Sequence, residues 1–391
     1  MAQMRSGFAI QSKIQMLIYG EQFTGKSTLA SQLCYFKRED GKPFRVLMLD
    51  NEMGSIDDLC ETLAENGVQS DNLKIITTQS LDEVLYYISK VKHCEDIYEL
   101  DDDGNETETV TLDADGEPFR ADAIIIDGST ILNLTTKQAL IEFSKKRNGV
   151  KAAKAGLIGD ERIVKVDGAG LEYKDYQTIN FKGQNLILEL ASSGVHWVVT
   201  ARETDEKETV KDRNGEPVSI STGRKIPEGF KGMLYNVKTV VRTYRDPKTD
   251  IVYAQVEKDG TNCHKFGEVL EDPTLLDWQK IIEGNKNRAA YNIKNGLQQS
   301  VEIERKSYEK ELSSFIDGDS KSGATSGNTK KTDELAELKD NIINKMRGFS
   351  PPEKSSATKS LKEKGLPATP TAVKAESDIS VLKEILSVIT K

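Results

Sequence analysis

Short apolar runs alternate with segments of helical spacing from Lys13 to about Glu283. Apolar runs of about 4–8 residues suit buried strands, and apolar residues repeated every three or four positions suit helices. Five runs are predicted to be core strands, at residues 14–19, 45–50, 73–77, 123–127 and 196–200, with helices predicted at 26–36, 56–66, 81–92 and 175–192. Because strands that alternate with helices usually form a parallel sheet, the pattern predicts an α/β core over residues 13–283 with a mostly parallel sheet flanked by helices.

The pattern changes after Thr200, where two further strand-like runs cover residues 237–244 and 251–258. The sequence RDPKTD between them carries proline and aspartate, which are typical turn residues. We therefore expect an antiparallel hairpin at the edge of the sheet.

A strongly acidic segment, residues 95–120, interrupts the core before the strand at 123–127. Two Asp/Gly turns flank a threonine-rich run, which predicts a solvent-facing hairpin insertion. The turns have a D-x-D-G character, but the full ligand pattern of a calcium loop and its glutamate at the twelfth position are missing. A solvated acidic turn is the favoured interpretation.

The composition also changes at both ends of the core. Residues 1–12 form an N-terminal lead, and residues 284–333 hold the end of a helix and a low-complexity linker, which we expect to be disordered. Residues 334–346 and 378–390 then have the spacing of two short amphipathic helices. The segment 334–391 is therefore predicted to be a small helical tail, either a module of its own or a binding segment for a protein partner.

Composition argues against several classes of protein. No run of about 18 apolar residues is present and the N-terminus lacks the apolar core of a signal peptide, so we expect a cytoplasmic protein without a membrane partner. The four cysteines form no C-x-x-C pair, and three histidines offer little for a metal site. The net charge of -9 opposes nonspecific nucleic-acid binding by the whole molecule but allows a local basic groove.

The stretch KIQMLIYGEQFTGKSTLASQL joins an apolar run, the spacing G-x-x-x-x-G-K-[ST] and a helix-forming segment. This order predicts a phosphate-binding loop, because the glycines let the backbone fold around an anion and the helix points free N–H groups at the same place. Lys26 is expected to neutralise the β- and γ-phosphates, and Ser27 to ligate magnesium. The predicted nucleotide contacts of the loop are Gly20, Glu21, Gln22, Phe23, Thr24, Gly25, Lys26, Ser27 and Thr28.

Two acidic residues at strand ends are candidates for the chemistry of a bound triphosphate. Asp127 closes the apolar run at 123–127, where it can accept the water shell of magnesium beside Ser27. Glu52 follows the second strand and emerges on the same edge of the sheet, where a general base for water is expected, and Asp50 shares its face. A turn residue at Asp127 and a first-turn helix residue at Glu52 are the alternatives.

Several positively charged or hydroxyl-bearing residues are candidates for sensing the γ-phosphate. Thr200 and Arg202 end the strand at 196–200, although an exposed arginine without a role is an equal alternative for Arg202. Lys258 follows a hairpin strand and could reach the nucleotide of a neighbouring subunit, but a solvated loop lysine is favoured there.

The lysine-rich segment 145–174 is the candidate for nucleic-acid binding. We predict a flexible basic loop that could line a channel for single-stranded backbone phosphates. A solvated surface loop is an equal alternative, since Tyr173 is the only aromatic residue within the segment that could stack on a base.

The order of the phosphate loop, LDNE after the second strand and IIIDGS resembles the RecA-like ATPase core, in which the catalytic glutamate follows the second strand. The stretches LEYKDYQTINFKGQNLILELASSGVHWVVTARE and KIPEGFKGMLYNVKTVVRTYRDPKTDIVYAQVEKDG are similar, more narrowly, to phage-encoded RecA-like proteins related to single-strand-annealing recombination ATPases. The resemblance implies ATP as the nucleotide, a water-activating Glu52, magnesium support from Asp127, single-stranded DNA binding and homo-oligomers with nucleotide at subunit junctions.

The resemblance to the bacterial recombinase itself breaks down in two places. The glutamine expected at the end of the sensor strand is replaced by Ala201 and Arg202. No N-terminal oligomerisation helix precedes residue 13, so a filament like that of the recombinase is not expected.

The sequence as a whole predicts a P-loop ATPase that couples magnesium-ATP hydrolysis to single-stranded DNA in recombination, repair or replication of a phage type. Two other functions compete with it. A P-loop kinase should carry an arginine-rich lid, of which Arg224 with Lys225 is the nearest approximation. An ATP-dependent switch or assembly protein would hydrolyse ATP slowly, at a rate that DNA does not change.

Overall fold

A nine-stranded sheet organises the first of two compact units of the chain, Met1–Ser300. The computed structural model describes residues 11–53, 56–212, 214–285, 288, 294–319, 338–339, 341–343, 345, 349, 351–369, 373 and 378–389. In chain order the strands are β1 (Gln15–Gly20), β2 (Val46–Asp50), β3 (Leu73–Thr77), β4 (Tyr98–Leu100), β5 (Glu106–Val110), β6 (Ala123–Asp127), β7 (His196–Lys211), β8 (Pro217–Pro227), β9 (Thr239–Arg245), β10 (Val252–Asp259) and β11 (Val269–Glu271). The helices are α1 (Lys26–Ser31), α2 (Asp57–Glu65), α3 (Leu81–His93), α4 (Ser129–Lys154), α5 (Gly159–Asp167), α6 (Tyr173–Ser192), α7 (Met233–Asn236), α8 (Lys280–Glu283), α9 (Leu297–Asp319), α10 (Pro351–Glu363) and α11 (Ile379–Ile389).

The main sheet has the order β11-β10-β9-β1-β7-β6-β2-β3, with β8 paired to β7. Strands β1, β2, β3, β6, β7 and β9 pair in parallel, whereas β8, β10 and β11 pair antiparallel. The predicted α/β core with a mostly parallel sheet and an antiparallel edge hairpin is therefore confirmed. The parallel register places Gly20 opposite Arg202 and Asp50 opposite Asp127, so β1, β2 and β6 end at one edge of the sheet, where β7 continues beyond it.

Two apolar layers cover the two faces of this sheet. Leu17 and Tyr19 of β1 point into a cluster formed with residues of α3 and α6. Met16 and Ile18 point the other way, into a cluster that contains Leu29 of α1. Because both faces of β1 are buried, its sequence is a continuous apolar run rather than an alternating one.

The hairpin β7–β8 was not predicted from the sequence, which indicates only a strand at 196–200. The run at 196–200 was expected to end near Thr200, but β7 continues to Lys211 and returns as β8. Side chains of this outer part are mostly exposed, so no apolar alternation marks it. The Asn214–Gly215 pair, with Gly215 at φ 82°, is the turn signal that could have revealed it.

The segment 145–174 is helical, and its prediction as a flexible basic loop was wrong. Helix α4 continues to Lys154, α5 follows, and α6 begins at Tyr173. Arg147 pairs with Asp175 at 2.9 Å, and Lys151 pairs with Glu172 at 3.3 Å. These ion pairs neutralise part of the positive charge from which the nucleic-acid prediction came.

The acidic segment 95–120 contains the antiparallel pair β4–β5. Lys90 of α3 anchors it, because its Nζ donates to a carboxylate oxygen of Glu106 at 2.6 Å and to the carbonyl of Asp96 at 3.1 Å. Burial opposes the charge of Lys90, but its hydrogen bonds with Glu106 and Tyr86 raise its pKa above the usual value.

The second compact unit, Val301–Lys391, has an apolar core of its own. Leu361 of α10 and Leu382 and Ile385 of α11 are fully buried in it. Helix α11 confirms the helix predicted at 378–390. The disordered linker predicted within 284–333 is corrected in part, because helix α9 covers Leu297–Asp319. Residues 320–333 and most of the N-terminal lead lie outside the described residues, and the helix predicted at 334–346 is described only at 338–339, 341–343 and 345. Within the described residues, no helix is both long and apolar enough to cross a membrane.

Candidate functional site

The predicted phosphate loop joins β1 to α1 at the carboxyl edge of the sheet. Gly20 lies so close to β9 that a Cβ atom there would be 2.1 Å from the carbonyl oxygen of Thr243. Gly25 has φ 74°, in the left-handed region that glycine tolerates, and stands directly before the first turn of α1. The two motif glycines are therefore required by different features of the loop, a close approach and a backbone angle.

The tip of the loop is fastened to β9. The hydroxyl oxygens of Thr24 and Thr243 are 2.8 Å apart, and Arg245 Nε donates to the carbonyl of Phe23 at 3.1 Å. Phe23 has φ 57° and is 86% exposed, an unusual combination for an aromatic residue. Sequence reasoning missed Thr243 and Arg245, because they reach the loop only through the pairing of β9 with β1.

Lys26 lies across the loop. Its Nζ donates to the carbonyl of Glu21 at 2.5 Å, and burial lowers its pKa, although Glu52 and Asp127 oppose that shift. Glu21, Gln22 and Thr28 are exposed along the same turn. A lysine held at this point can reach phosphate oxygens above the start of α1.

Asp127 accepts two hydroxyl hydrogen bonds at the end of β6. Ser27 Oγ donates to its Oδ1 at 3.0 Å, and Thr200 Oγ1 donates to the same oxygen at 2.5 Å. Burial raises the pKa of Asp127, and the two hydroxyl donors oppose that rise. A serine hydroxyl next to a carboxylate is the hard oxygen set that magnesium prefers, so Ser27 and Asp127 fit that ion.

Glu52 lies over Gly128 beside Asp127. A Cβ atom built on Gly128, which has φ 95°, would be 2.4 Å from Glu52 Cγ. The backbone N–H of Glu52 donates to Asp50 Oδ1 at 3.0 Å, so the buried Asp50 holds the turn that presents Glu52. Because Gly128 has no side chain, the carboxylate of Glu52, which follows β2, can lie beside Asp127.

Arg202 binds Glu52 directly. Its Nε donates to Glu52 Oε1 at 3.0 Å, and its side chain is 43% exposed. Thr130 Oγ1 accepts a hydrogen bond from the backbone N–H of Arg202 at 3.0 Å and donates to the carbonyl of Glu228 at 2.8 Å. The arginine is therefore fixed to the start of α4 and to the base of the β7–β8 hairpin.

The structure brings Lys26, Ser27, Glu52, Asp127, Thr200 and Arg202 together at one edge of the sheet. Lys258 does not belong to this group. Its Nζ donates to the carbonyls of Leu234 and Tyr235 at 3.0 and 3.1 Å, and burial lowers its pKa. Its hydrogen bonds hold α7 against β10, so the solvated loop lysine predicted from the sequence was wrong.

Comparison with known proteins gives only distant likenesses. No protein-family model matches the chain, and no curated protein matches its sequence. Among solved structures it is similar to the RadB recombinase, at 15% identity over 68% of this chain and 88% of that chain, with a TM-score of 0.34. It is also similar to a KaiC-like protein of the hyperthermophilic archaeon Pyrococcus horikoshii OT3, at 14% identity over 68% of this chain and 99% of that chain, with a TM-score of 0.35.

At those values neither likeness bears on activity. The strand order itself, with β7 between the phosphate-loop strand β1 and the Asp127 strand β6, is consistent with a RecA-like α/β core. The fold and the loop together define a P-loop α/β protein.

Proposed function

We propose that the chain binds ATP with magnesium and hydrolyses it. The observation that carries this proposal is the convergence of the Lys26 ammonium, the Ser27–Asp127 pair and the Glu52 carboxylate on the end of one phosphate loop. These are the groups that phosphoryl transfer to water needs: an anion cradle, a metal-side carboxylate and a residue that orients water.

Each residue has a separate task in the proposed reaction. The loop backbone and Lys26 hold the phosphates, while Ser27 and Asp127 would hold magnesium, which when bound neutralises charge on the phosphate oxygens. Glu52 accepts a hydrogen bond from the attacking water and aligns it with the γ-phosphate. Arg202 keeps the Glu52 carboxylate in place and supplies positive charge next to it.

The first test is ATP hydrolysis by the full chain, with Lys26→Ala as the blank. We expect magnesium-dependent phosphate release that the blank lacks, because Lys26 compensates the phosphate charge. Absence of turnover, with nucleotide still bound, would favour the function of a binding switch instead.

Replacing Glu52 by glutamine tests the assignment of the base. Glu52→Gln keeps the size and the hydrogen-bonding reach of the side chain, so we expect unchanged ATP affinity and a turnover lower by about 100-fold or more. The matched control is Glu61→Gln, since Glu61 is an exposed acid of α2, the helix that follows Glu52, and has no place in the site. Equal turnover of the two variants would remove Glu52 from the mechanism.

We further propose that hydrolysis is coupled to single-stranded DNA and that copies of the chain associate, in phage-type recombination, repair or replication. The sequence resemblance to RecA-like proteins supports both points. A long exposed hairpin, β7–β8, starting at the Arg202 end of the site also supports coupling, since a ligand on it would touch the strand that carries Arg202. Stimulation of turnover by an oligonucleotide, and mass measurements with and without ATP, test the two points.

A P-loop kinase is the second candidate function. A cleft of about 640 Å³ is lined by Met53, the residue after Glu52, and by hydroxyl-bearing side chains such as Thr78, Ser80 and Thr135. A small phosphate acceptor could occupy such a place. Release of free phosphate without any added acceptor would count against the kinase.

A further inference from the structure

A large cleft on the face of the sheet that carries α6 and α7 has no task in the proposed ATP chemistry. It has a volume of about 1140 Å³ and lies between the base of the β7–β8 hairpin, the loop after β8, and strands β9 and β10. Its floor is apolar, because Phe230, Met233 and Val240 are buried there. Clefts of this size with apolar floors and a few polar groups are typical ligand sites.

The loop that forms one wall of the cleft is built into the fold. Gly183 of α6 makes room for Phe230, since a Cβ atom on that glycine would lie 2.4 Å from Phe230 Cβ. Gly229 and Gly232 have φ angles of 141° and 86°, which let the loop turn twice around Phe230. On the opposite side Lys258 fastens the end of α7, so the backbone of Tyr235 has a fixed position.

Two aromatic side chains stand at the rim of this cleft. Tyr235 and Phe266 are each 84% exposed. Exposed apolar side chains that stand together beside a cleft, unlike those scattered singly over a surface, favour a binding surface. Flat rings in such a position can stack on nucleobases of any sequence.

Positive charge surrounds the same cleft. Lys207, Arg224 and Lys231 line it, are exposed, and form no ion pair within the part of the chain that the structure describes. Two further lysines, Lys137 and Lys258, line the cleft, so it has five basic side chains against three carboxylates, Glu206, Glu228 and Glu257. The charge of the lining is therefore positive on balance.

We propose that this cleft, named here the aromatic cleft, binds single-stranded DNA, with bases stacked on Tyr235 and Phe266 and phosphates held by Lys207, Arg224 and Lys231. The proposal rests on the DNA part of the proposed function and gives it a surface different from the segment 145–174. Stacking rings and unpaired cations next to one another are the combination that single-strand binding requires. The segment 145–174 offers only one aromatic residue, Tyr173, and Arg147, Lys151 and Lys174 within it are engaged in ion pairs.

The test is binding of a fluorescent 20-nucleotide oligodeoxythymidylate to the full chain, followed by anisotropy over a series of salt concentrations. Tyr235→Ala and Phe266→Ala should each weaken binding by about 5- to 100-fold, the factor expected for one lost stack. Tyr235→Phe should bind like the unaltered chain, because the ring remains. Tyr173→Ala is the matched control, since Tyr173 is 80% exposed in the competing segment.

Charge is tested by a second pair of variants. Lys207→Gln, Arg224→Gln and Lys231→Gln together should reduce the slope of log affinity against log salt by about 2, because each phosphate contact on a single strand contributes about 0.7. The matched triple in the competing segment, Lys154→Gln, Arg162→Gln and Lys165→Gln, should leave the slope unchanged. ATP turnover without DNA should stay unchanged in Tyr235→Ala and Phe266→Ala, which shows that the fold is intact.

The outcomes separate the two proposals. If the unaltered chain binds the oligonucleotide but the cleft variants bind equally well, the aromatic cleft is wrong and the proposed function stands. If the cleft variants change the oligomeric mass at equal DNA affinity, the cleft is an interface between copies and the proposal is overturned. If the unaltered chain binds no oligonucleotide, the DNA part of the proposed function and the cleft fail together, while ATP hydrolysis is judged separately.

Discussion

Gly128 decides where the carboxylate of Glu52, the proposed base, can stand. It follows Asp127 with φ 95°, and the Glu52 side chain occupies the space that a Cβ atom would need. The residue after Asp127 therefore contributes by having no side chain. Asp50 and Arg202 then hold Glu52 from its two ends, by its backbone N–H and its carboxylate.

Replacing Gly128 by alanine should displace Glu52. We expect Gly128→Ala to lose turnover while it retains ATP binding, because the phosphate loop is not part of the clash. Gly116→Ala is the matched control, since Gly116 also has positive φ, 79°, but nothing within 4 Å of an added Cβ atom. Both variants should lose about 1–2 kcal/mol of stability from the backbone angle, so comparison of kcat with the free energy of unfolding isolates the steric effect. Full turnover in Gly128→Ala would contradict the arrangement.

His196 should make the stability of the core depend on pH. It is buried beside Phe44, and burial together with Lys13 and Lys238 lowers its pKa well below 6.5. Below pH 6.5 the His196 imidazole binds a proton in the unfolded chain but stays neutral in the folded chain. The free energy of unfolding therefore falls as pH falls, by about 1.4 kcal/mol per pH unit. Urea unfolding between pH 6.5 and 5 should show a shallower dependence for His196→Gln than for the unaltered chain. His93→Gln, at an exposed histidine, should keep the full dependence, and a match between the two variants would contradict the prediction.

Among the elements, the acidic hairpin β4–β5 depends on one lysine of α3. The side chain of Lys90 is only 5% exposed and pairs with Glu106. Glu106→Gln removes the compensating charge, so we expect a loss of about 1–3 kcal/mol in the free energy of unfolding. Glu108→Gln, at the next exposed acid of the same strand, should change it by less than about 0.5 kcal/mol. Urea unfolding of both variants at one pH checks this, and equal stabilities would show that the hairpin is held by other contacts.

Elements with buried apolar faces were predictable from the sequence, and elements without them were not. The run at 123–127 became β6 with the same bounds, because all five of its side chains are buried in the core. The hairpin β7–β8 escaped prediction, because its outer side chains are exposed and carry no apolar period. Helix α4 is missing from the sequence prediction, which assigns residues 145–174 to a loop, because the ion pairs of α4 with Glu172 and Asp175 join residues far apart in sequence.

The same division holds for the candidate site. The glycines, Lys26 and Ser27 stand in one local pattern that reads directly from the sequence. Thr243 and Arg245 meet the loop only after β9 has paired with β1, and no local pattern announces that pairing. The Glu52–Arg202 contact was also not foreseen, because it depends on a rotamer choice across three strands.

At the scale of the whole molecule, all residues of the candidate site lie in the first compact unit, and the second has a separate core. Leu382→Asp places a charge at a fully buried position of that second core and should unfold it. We expect fast trypsin cleavage within α10 and α11 but unchanged ATP turnover. Ser387→Asp, at an exposed position of α11, is the control and should resist trypsin like the unaltered chain. Loss of turnover in Leu382→Asp would show that the first unit needs the second.

The position of Glu52 over Gly128 has a consequence for how such proteins are found. A search for two neighbouring acids at the end of one strand would pass over this chain, because its two acids arrive on β6 and β2. The spacing of functional groups along a sequence reflects how the chain connects them and not how they are arranged in space. Proteins with different connections can therefore present the same carboxylates to a nucleotide without a common sequence motif, and a classification by motif would separate them.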